Sequence, residues 1–276
     1  SEQQILELIR HRQPFSARVE SGGCELRIER YQPMVVTAIH DGHRVLTEFA
    51  DKMRINDDQR RFEEDPYTGD IAQNFSICMR VLDSRYCCDL NRDPQSCIYD
   101  EAWGRQVWKA PLEAAEKQRL LEHHASYYRI LDELLSVLTE SFGSSVLYDL
   151  HSYNYRRLNG EPPLFNIGTH FIDFKRFGSV IDHLVAELGS IELADCTNRA
   201  VVDEVFAGKG YQAEFVHRRH PDVLCVPLEI KKVFMDEASL ELKEEVFNVL
   251  RQALINALER NYKFFNALNG SSREKR

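Results

Sequence analysis

Four short apolar runs, each closing on a residue that can serve metal, anion or proton chemistry, constrain this chain more than any other feature. They read VVTAIHDGH (35–43), YCCDLNRDP (86–94), VLYDLHSYN (146–154) and CVPLEIKKVFMDE (225–237). Each begins like a buried strand and delivers His40, Asn91 with Arg92, His151 or Glu229 at its end. In open α/β sheets the ligand crevice lies outside the carboxyl ends of the strands. Four such ends therefore outline one active site.

The rest of the pattern alternates strands with helices. Residues 3–12 read as a short amphipathic helix, and 15–20 with 24–30 as a β-hairpin around Gly22-Gly23. Residues 35–39 are a buried strand, 41–69 are polar and turn-rich, and 71–82 are helix or strand. SRYCCDL (84–90) reads as a strand, 112–141 as a long helix stopping before Gly143, and 144–150 as a strand. Strands follow at 163–169, 191–196, 213–219 (exposed) and 223–230, with helices at 174–188 and about 239–268. This order predicts a three-layer α/β fold: a mixed, mostly parallel central sheet with helices on both faces.

The 276 residues suit one large α/β domain or two small ones, and no linker divides them. The expectation is a single domain over 1–276, with 1–34 as a helix-and-hairpin elaboration and 269–276 as a frayed tail. A composition 43% hydrophobic and 29% charged supports a sizeable core. The net charge of −9 argues against a general nucleic-acid binder, which needs a basic face. A small anionic substrate needs only a local positive pocket. Seven cysteines, with no CxxC spacing, read as reduced thiols of a cytoplasmic protein, with Cys78, Cys87 and Cys225 in the core. No signal peptide or membrane span is expected.

The chemistry follows from the residue types. His40 and His151 each close a strand, and two histidines with one carboxylate and a water make a catalytic zinc site. Asp149 can orient an imidazole from behind, and Asp89 reads as a buried orienting group. The third ligand stays open between Glu63, Glu64 and Asp65 of EEDPYTGD, Glu48, and His43. Arg92 can grip a carboxylate through its planar fork, with Asn91 beside it and Arg85 as a second cation. Glu229 sits between Leu and Ile, where burial raises a carboxyl toward the range of a general base; its structural alternative is a salt bridge to Lys231, Lys232 or an Arg elsewhere. No GxSxG elbow, P-loop, GxGxxG or HExxH is present.

With these pieces placed, the chain resembles the N-formylglutamate amidohydrolase family, a branch of the zinc-carboxypeptidase-like hydrolases. IHDGH (39–43), SRYCCDLNRDP (84–94), YDLHSYN (148–154) and LEIKKVFMDE (228–237) carry the match in order, with FNIGT (165–169) and FAGKGY (206–211) in support. The resemblance implies a phosphorylase/hydrolase-like fold holding one zinc ion per chain. His40 and His151 match its ligands, and Glu229 matches the base that deprotonates the zinc-bound water. Asn91 and Arg92 match the pair that binds substrate carboxylate and oxyanion; Arg85 or Arg156 would hold a further carboxylate, and Thr169 would touch substrate. Zinc carboxypeptidases usually carry a Glu three residues after the first His, where this chain has His43; the third ligand is then His43 itself or comes from the EEDPYTGD segment, with the segment expected and Asp65 ahead of Glu64. The implied reaction is hydrolysis of an N-acyl amino acid such as N-formylglutamate. A zinc carboxypeptidase, another N-acyl amino-acid deacylase and a non-catalytic binding protein are the alternatives. Imidazole and carboxylate ligands also suit cobalt, nickel and iron.

Overall fold

The computed structural model describes residues 1–19, 23–194 and 196–273. In chain order the elements are α1 (Glu2–Arg10), β1 (Phe15–Arg18), β2 (Cys24–Ile28), β3 (Met34–Ala38), α2 (Thr47–Ala50), α3 (Asp57–Glu63) and α4 (Thr68–Ala72). Next come β4 (Ile77–Val81), β5 (Glu101–Ala102), β6 (Arg105–Gln106), α5 (Ala114–Phe142), β7 (Ser145–Tyr153) and β8 (Phe165–Ile167). The chain closes with α6 (Phe174–Gly189), β9 (Ala200–Val202), α7 (Tyr211–Arg219), β10 (Val223–Lys231) and α8 (Glu244–Arg273).

Eight of these strands form one sheet in the order β1-β2-β4-β3-β7-β10-β8-β9. The centre, β4-β3-β7-β10, is parallel, β8-β9 is a parallel pair, and the β1-β2, β2-β4 and β10-β8 pairs are antiparallel. β5 and β6 pair only with each other. Side chains alternate across a strand, and the two faces bury different things. Val36, Ala38, Tyr148, Leu150, Val226, Leu228 and Ile230 pack under α4, α6 and α8. Val35, Leu147, Val223 and Cys225 pack under α1, α5 and α7. On this second face the apolar lining stops partway. Further along this face lie Asp149 and His151 on β7 and, after Pro227, Glu229 on β10, and the register sets Glu229 beside His151 and Thr37 beside Asp149. The α1/α5/α7 face is thus oily at the strand starts and polar at their carboxyl ends. A satellite core of Phe49, Met53, Ile55, Tyr86, Cys87, Val107 and Trp108 fills the excursion between β3 and α5.

The three-layer expectation holds, and several local ones change. SRYCCDL is a run of turns: its Tyr86 and Cys87 are buried in the satellite core, so the apolarity reflects that core and no sheet ladder. Residues 213–219 are helix α7, because Ala213 and Val216 are buried at helical spacing and His217, Arg218 and Arg219 crowd its carboxyl end, where cations suit the dipole. Residues 191–196 give only an isolated Leu193–Cys196 bridge, with Asp195 outside the described residues; the ladder there is β9. The polar stretch 41–69 folds three short helices, and 71–82 divides between α4 and β4. α5 stops where expected, at Gly143 in the left-handed region (φ 73°), whose N–H donates to Thr139 O at 2.7 Å. α8 runs on to Arg273, so the tail expected from 269 is helical that far, and 274–276 lie outside the described residues, as does Gly22 of the hairpin turn. All seven cysteines are free, with Cys78, Cys87 and Cys225 buried. Among the described residues no helix is long and apolar enough to cross a membrane.

Candidate metal centre

His40 lies two residues beyond the end of β3, His151 lies near the carboxyl end of β7, and Asp65 comes from the bend between α3 and α4. Asp65 precedes Pro66, which steers it out of helical conformation. Its N–H donates to His40 O at 2.9 Å, and the Thr68 hydroxyl donates to its carbonyl at 2.7 Å. One Asp65 carboxylate oxygen then lies 3.1 Å from His151 Nδ1 and 3.4 Å from His40 Nδ1. Suitable ligand atoms of His40, Asp65 and His151 all lie within 4.8 Å of one another, and all three residues are buried.

The far sides of both imidazoles are taken. His40 Nε2 donates to Asp89 at 2.7 Å and His151 Nε2 donates to Asp149 at 3.0 Å. With the proton on Nε2, each ring turns an Nδ1 lone pair toward Asp65, and His40 Nδ1 is a buried atom with no hydrogen-bond partner. Three electron-pair donors facing one point repel unless a cation or a proton sits among them. Without a cation, burial alone would lower His151, yet Asp149 behind it and Asp65 in front push it well above the ordinary histidine range, Asp149 most of all. Burial alone would raise Asp65, yet its contacts with His151 and His40 hold it well below the usual carboxylate range. The donor set fits a divalent cation held by two imidazoles and one carboxylate.

Glu229 stands beside His151 across the β7–β10 ladder. Burial pushes its carboxyl up to about 7, opposed by His151 and reinforced by Asp65 and Asp149. Among the described residues it has no hydrogen bond or ion pair. Lys232 donates instead to the carbonyls of Phe62 and Glu64, and Lys231 to that of Pro162, so the salt-bridge alternative is not realised.

A cavity of about 390 Å³ opens over this cluster, lined by His40, Asp65, His151 and Glu229 with Arg85, Asn91, Arg92, Arg157, Lys209, Trp103 and Phe206 among others. Arg85 is committed to Asp89 (Nη2 to Oδ2 2.7 Å) and lies over the Trp103 ring. Arg157 pairs with Glu63 at 2.8 Å. Among the described residues the Arg92 guanidinium hydrogen-bonds only the Tyr99 hydroxyl, at 3.4 Å, and Lys209 has no acidic partner. Asn91 lines the cavity, and its Oδ1 accepts the Gln212 N–H at 3.4 Å. Gly210 packs so tightly on Asn91 that a Cβ there would fall 2.1 Å from Oδ1. Asn91 therefore anchors the strap 206–210 that carries Lys209.

Other expected residues lie elsewhere. His43 and Glu64 hydrogen-bond each other at 2.5 Å, and Glu64 also accepts from Ser84. Glu48 pairs with Arg119 on the surface. Thr169 does not line the cavity; its hydroxyl donates to Asp203, and its N–H donates to the same carboxylate at 2.7 Å. Arg156 points to Asp236 at 3.0 Å, outside the cavity. His151 and Glu229 lie within their strands, and Asn91 and Arg92 on a turn. Lys209 and Arg157 went unrecognised in the sequence, although FAGKGY was among the distinctive motifs.

Comparisons with known proteins bear on the family and the fold. The family model for N-formylglutamate amidohydrolase matches residues 32–235. A comparison with curated proteins found no match. Among solved structures, an N-formylglutamate amidohydrolase from Ralstonia eutropha JMP134 aligns with a TM-score of 0.70 at 18% identity, covering 88% of this chain and 98% of that one. A gene product of Agrobacterium tumefaciens aligns with a TM-score of 0.62 at 16% identity, over 88% of this chain and 98% of that one. The family match spans every element that builds the cavity, and the chain belongs to the N-formylglutamate amidohydrolase family of amide hydrolases.

Proposed function

We propose that this chain is a metal-dependent amidohydrolase that cleaves the amide of an N-acyl amino acid, an N-formyl amino acid such as N-formylglutamate, in which His40, Asp65 and His151 hold one zinc ion. The observation that carries this reading is the convergence of three donor atoms on one point with Glu229 beside them. A divalent cation there supplies a Lewis acid that acidifies water and polarises a carbonyl.

The chain's own residues do the rest. Glu229, a carboxyl pushed up to about 7, takes a proton from the attacking water and returns it to the departing amine nitrogen. Arg92 lines the cavity without an acidic partner and stabilises the oxygen on which negative charge develops. Lys209 replaces Arg85 and Arg156 as the cation for a substrate carboxylate, because both arginines are already engaged. Asn91 holds the strap that presents Lys209. Formate and a free amino acid are the products from an N-formyl substrate.

The test is Glu229→Gln, assayed with N-formyl-L-glutamate and analysed for bound metal. Turnover should fall by about 10²–10⁴-fold, the usual worth of a general base, with metal content unchanged. Full activity in that variant would refute the role.

A further inference from the structure

Behind His151 the buried polar groups form one unbroken chain. Asp149 Oδ2 accepts from His151 Nε2, and its Oδ1 accepts from the Thr37 hydroxyl at 2.9 Å. Thr37 Oγ1 accepts from Gln212 Nε2 at 2.9 Å, and Gln212 Oε1 accepts from the Tyr127 hydroxyl at 2.5 Å. Thr37 and Gln212 are 0% exposed, and Asp149 and Tyr127 are 1% and 2% exposed, so no water can substitute for a missing link.

The polarity of this chain follows from the carboxylate outward. A carboxylate only accepts, so Thr37 must donate to Asp149. Thr37 then has only lone pairs left, so the side-chain NH2 of Gln212 must face it. That turns Gln212 Oε1 toward Tyr127, whose hydroxyl must donate. With both Asp149 oxygens occupied, His151 keeps its proton on Nε2 and its lone pair on Nδ1, toward Asp65 and His40. Gln212 is also the second residue of α7, directly after the strap 206–210, and its backbone N–H bonds the Asn91 side chain.

We propose that Gln212 is a positioning residue of the metal centre, fixing the metal-ligating tautomer of His151 through Thr37 and Asp149. The inference rests on the reading of His40, Asp65 and His151 as a cation site.

Metal-stripped protein titrated with Zn2+ against a chromophoric chelator tests it. Wild type is compared with Gln212→Leu, Gln212→Glu, Thr37→Val and Thr37→Ser, and thermal unfolding of each stripped protein controls for folding. Gln212→Leu and Thr37→Val should weaken zinc binding about 3–10-fold, one step further out than groups whose loss costs about 10–100-fold. Gln212→Glu keeps the shape but only accepts, so it draws the Thr37 hydroxyl from Asp149 and should weaken zinc at least as much. Thr37→Ser keeps the hydroxyl and should restore wild-type affinity. A wild type that binds zinc beside variants that bind it equally well overturns the role of Gln212 and leaves the metal site standing. A wild type that takes up no zinc overturns both. If Gln212→Leu fails to fold, Gln212→Glu decides: weaker zinc binding beside an unimpaired Thr37→Ser supports the role, and wild-type affinity in Gln212→Glu overturns it.

Discussion

The two imidazoles of the candidate centre are held by different means. His151 belongs to the sheet. Its partner Asp149 lies two residues away on the same strand face, and neutral groups on β3, α7 and α5 back that carboxylate. His40 depends on a turn. Its partner Asp89 sits in the segment 84–97, and an ion pair with Arg85, the Tyr99 hydroxyl and the Asn91 N–H hold it there. Where strand register fixes a residue, a hydroxyl and an amide suffice to finish the orientation. Where no ladder exists, a charged cluster takes over the positioning. Burial alone would raise Asp89, yet Arg85 and His40 hold it well below the ordinary carboxylate range.

This contrast can be broken by experiment. Asp89→Ala should destabilise the protein by about 3–5 kcal/mol, because it strands the largely buried Arg85 cation; chemical denaturation measures it, and a loss under about 1 kcal/mol would erase the distinction. Asp149→Asn should instead act on the metal, weakening zinc by about 10–100-fold with a smaller loss of stability. If both substitutions moved stability and affinity alike, the two supports would be equivalent after all.

A third measurement concerns Glu229. Its folded pKa lies above its unfolded one, so its contribution to stability is full below about 4.5 and is lost as pH rises through about 7. Metal-free Glu229→Gln escapes that loss. It should match wild type near pH 5 and exceed it at pH 8.5 by about 1–3 kcal/mol, discounted because Glu229 is partly exposed. Equal stability across that range would show that Glu229 is solvated. The smallest effect is expected at the cavity mouth. Lys209→Met should raise KM for N-formyl-L-glutamate about tenfold, a loss of about 1.4 kcal/mol, with kcat nearly unchanged. An unchanged KM would remove Lys209 from substrate binding.

The same contrast explains what could be read from the sequence. The sheet centre was legible because VVTA, VLYDL and VLCVPLEI are short, apolar and bounded by turns, and because His151, Asp149 and Glu229 interrupt them at alternate positions. From the residues alone Asp65 was one acid among several, and only the family resemblance put it ahead of Glu64. What singles it out is the bond from its N–H to His40 O, a contact across the fold that no local pattern reports. SRYCCDL failed as a strand because a second core beneath it absorbs Tyr86 and Cys87, and burial looks the same in sequence whichever core provides it. AEFVHRR failed for a related reason: a nine-residue helix has too few turns to separate its period from alternation. Lys209 gave no signal of its own, since what sets it apart is the absence of an acidic partner among the described residues, which only the fold reveals.

The most direct test counts metal on Asp65. Metal-stripped wild type and Asp65→Ala are each titrated with Zn2+ by calorimetry. The account predicts one tightly bound ion per wild-type chain and none, or at least about 100-fold weaker binding, in the variant. Identical isotherms for the two proteins would contradict it.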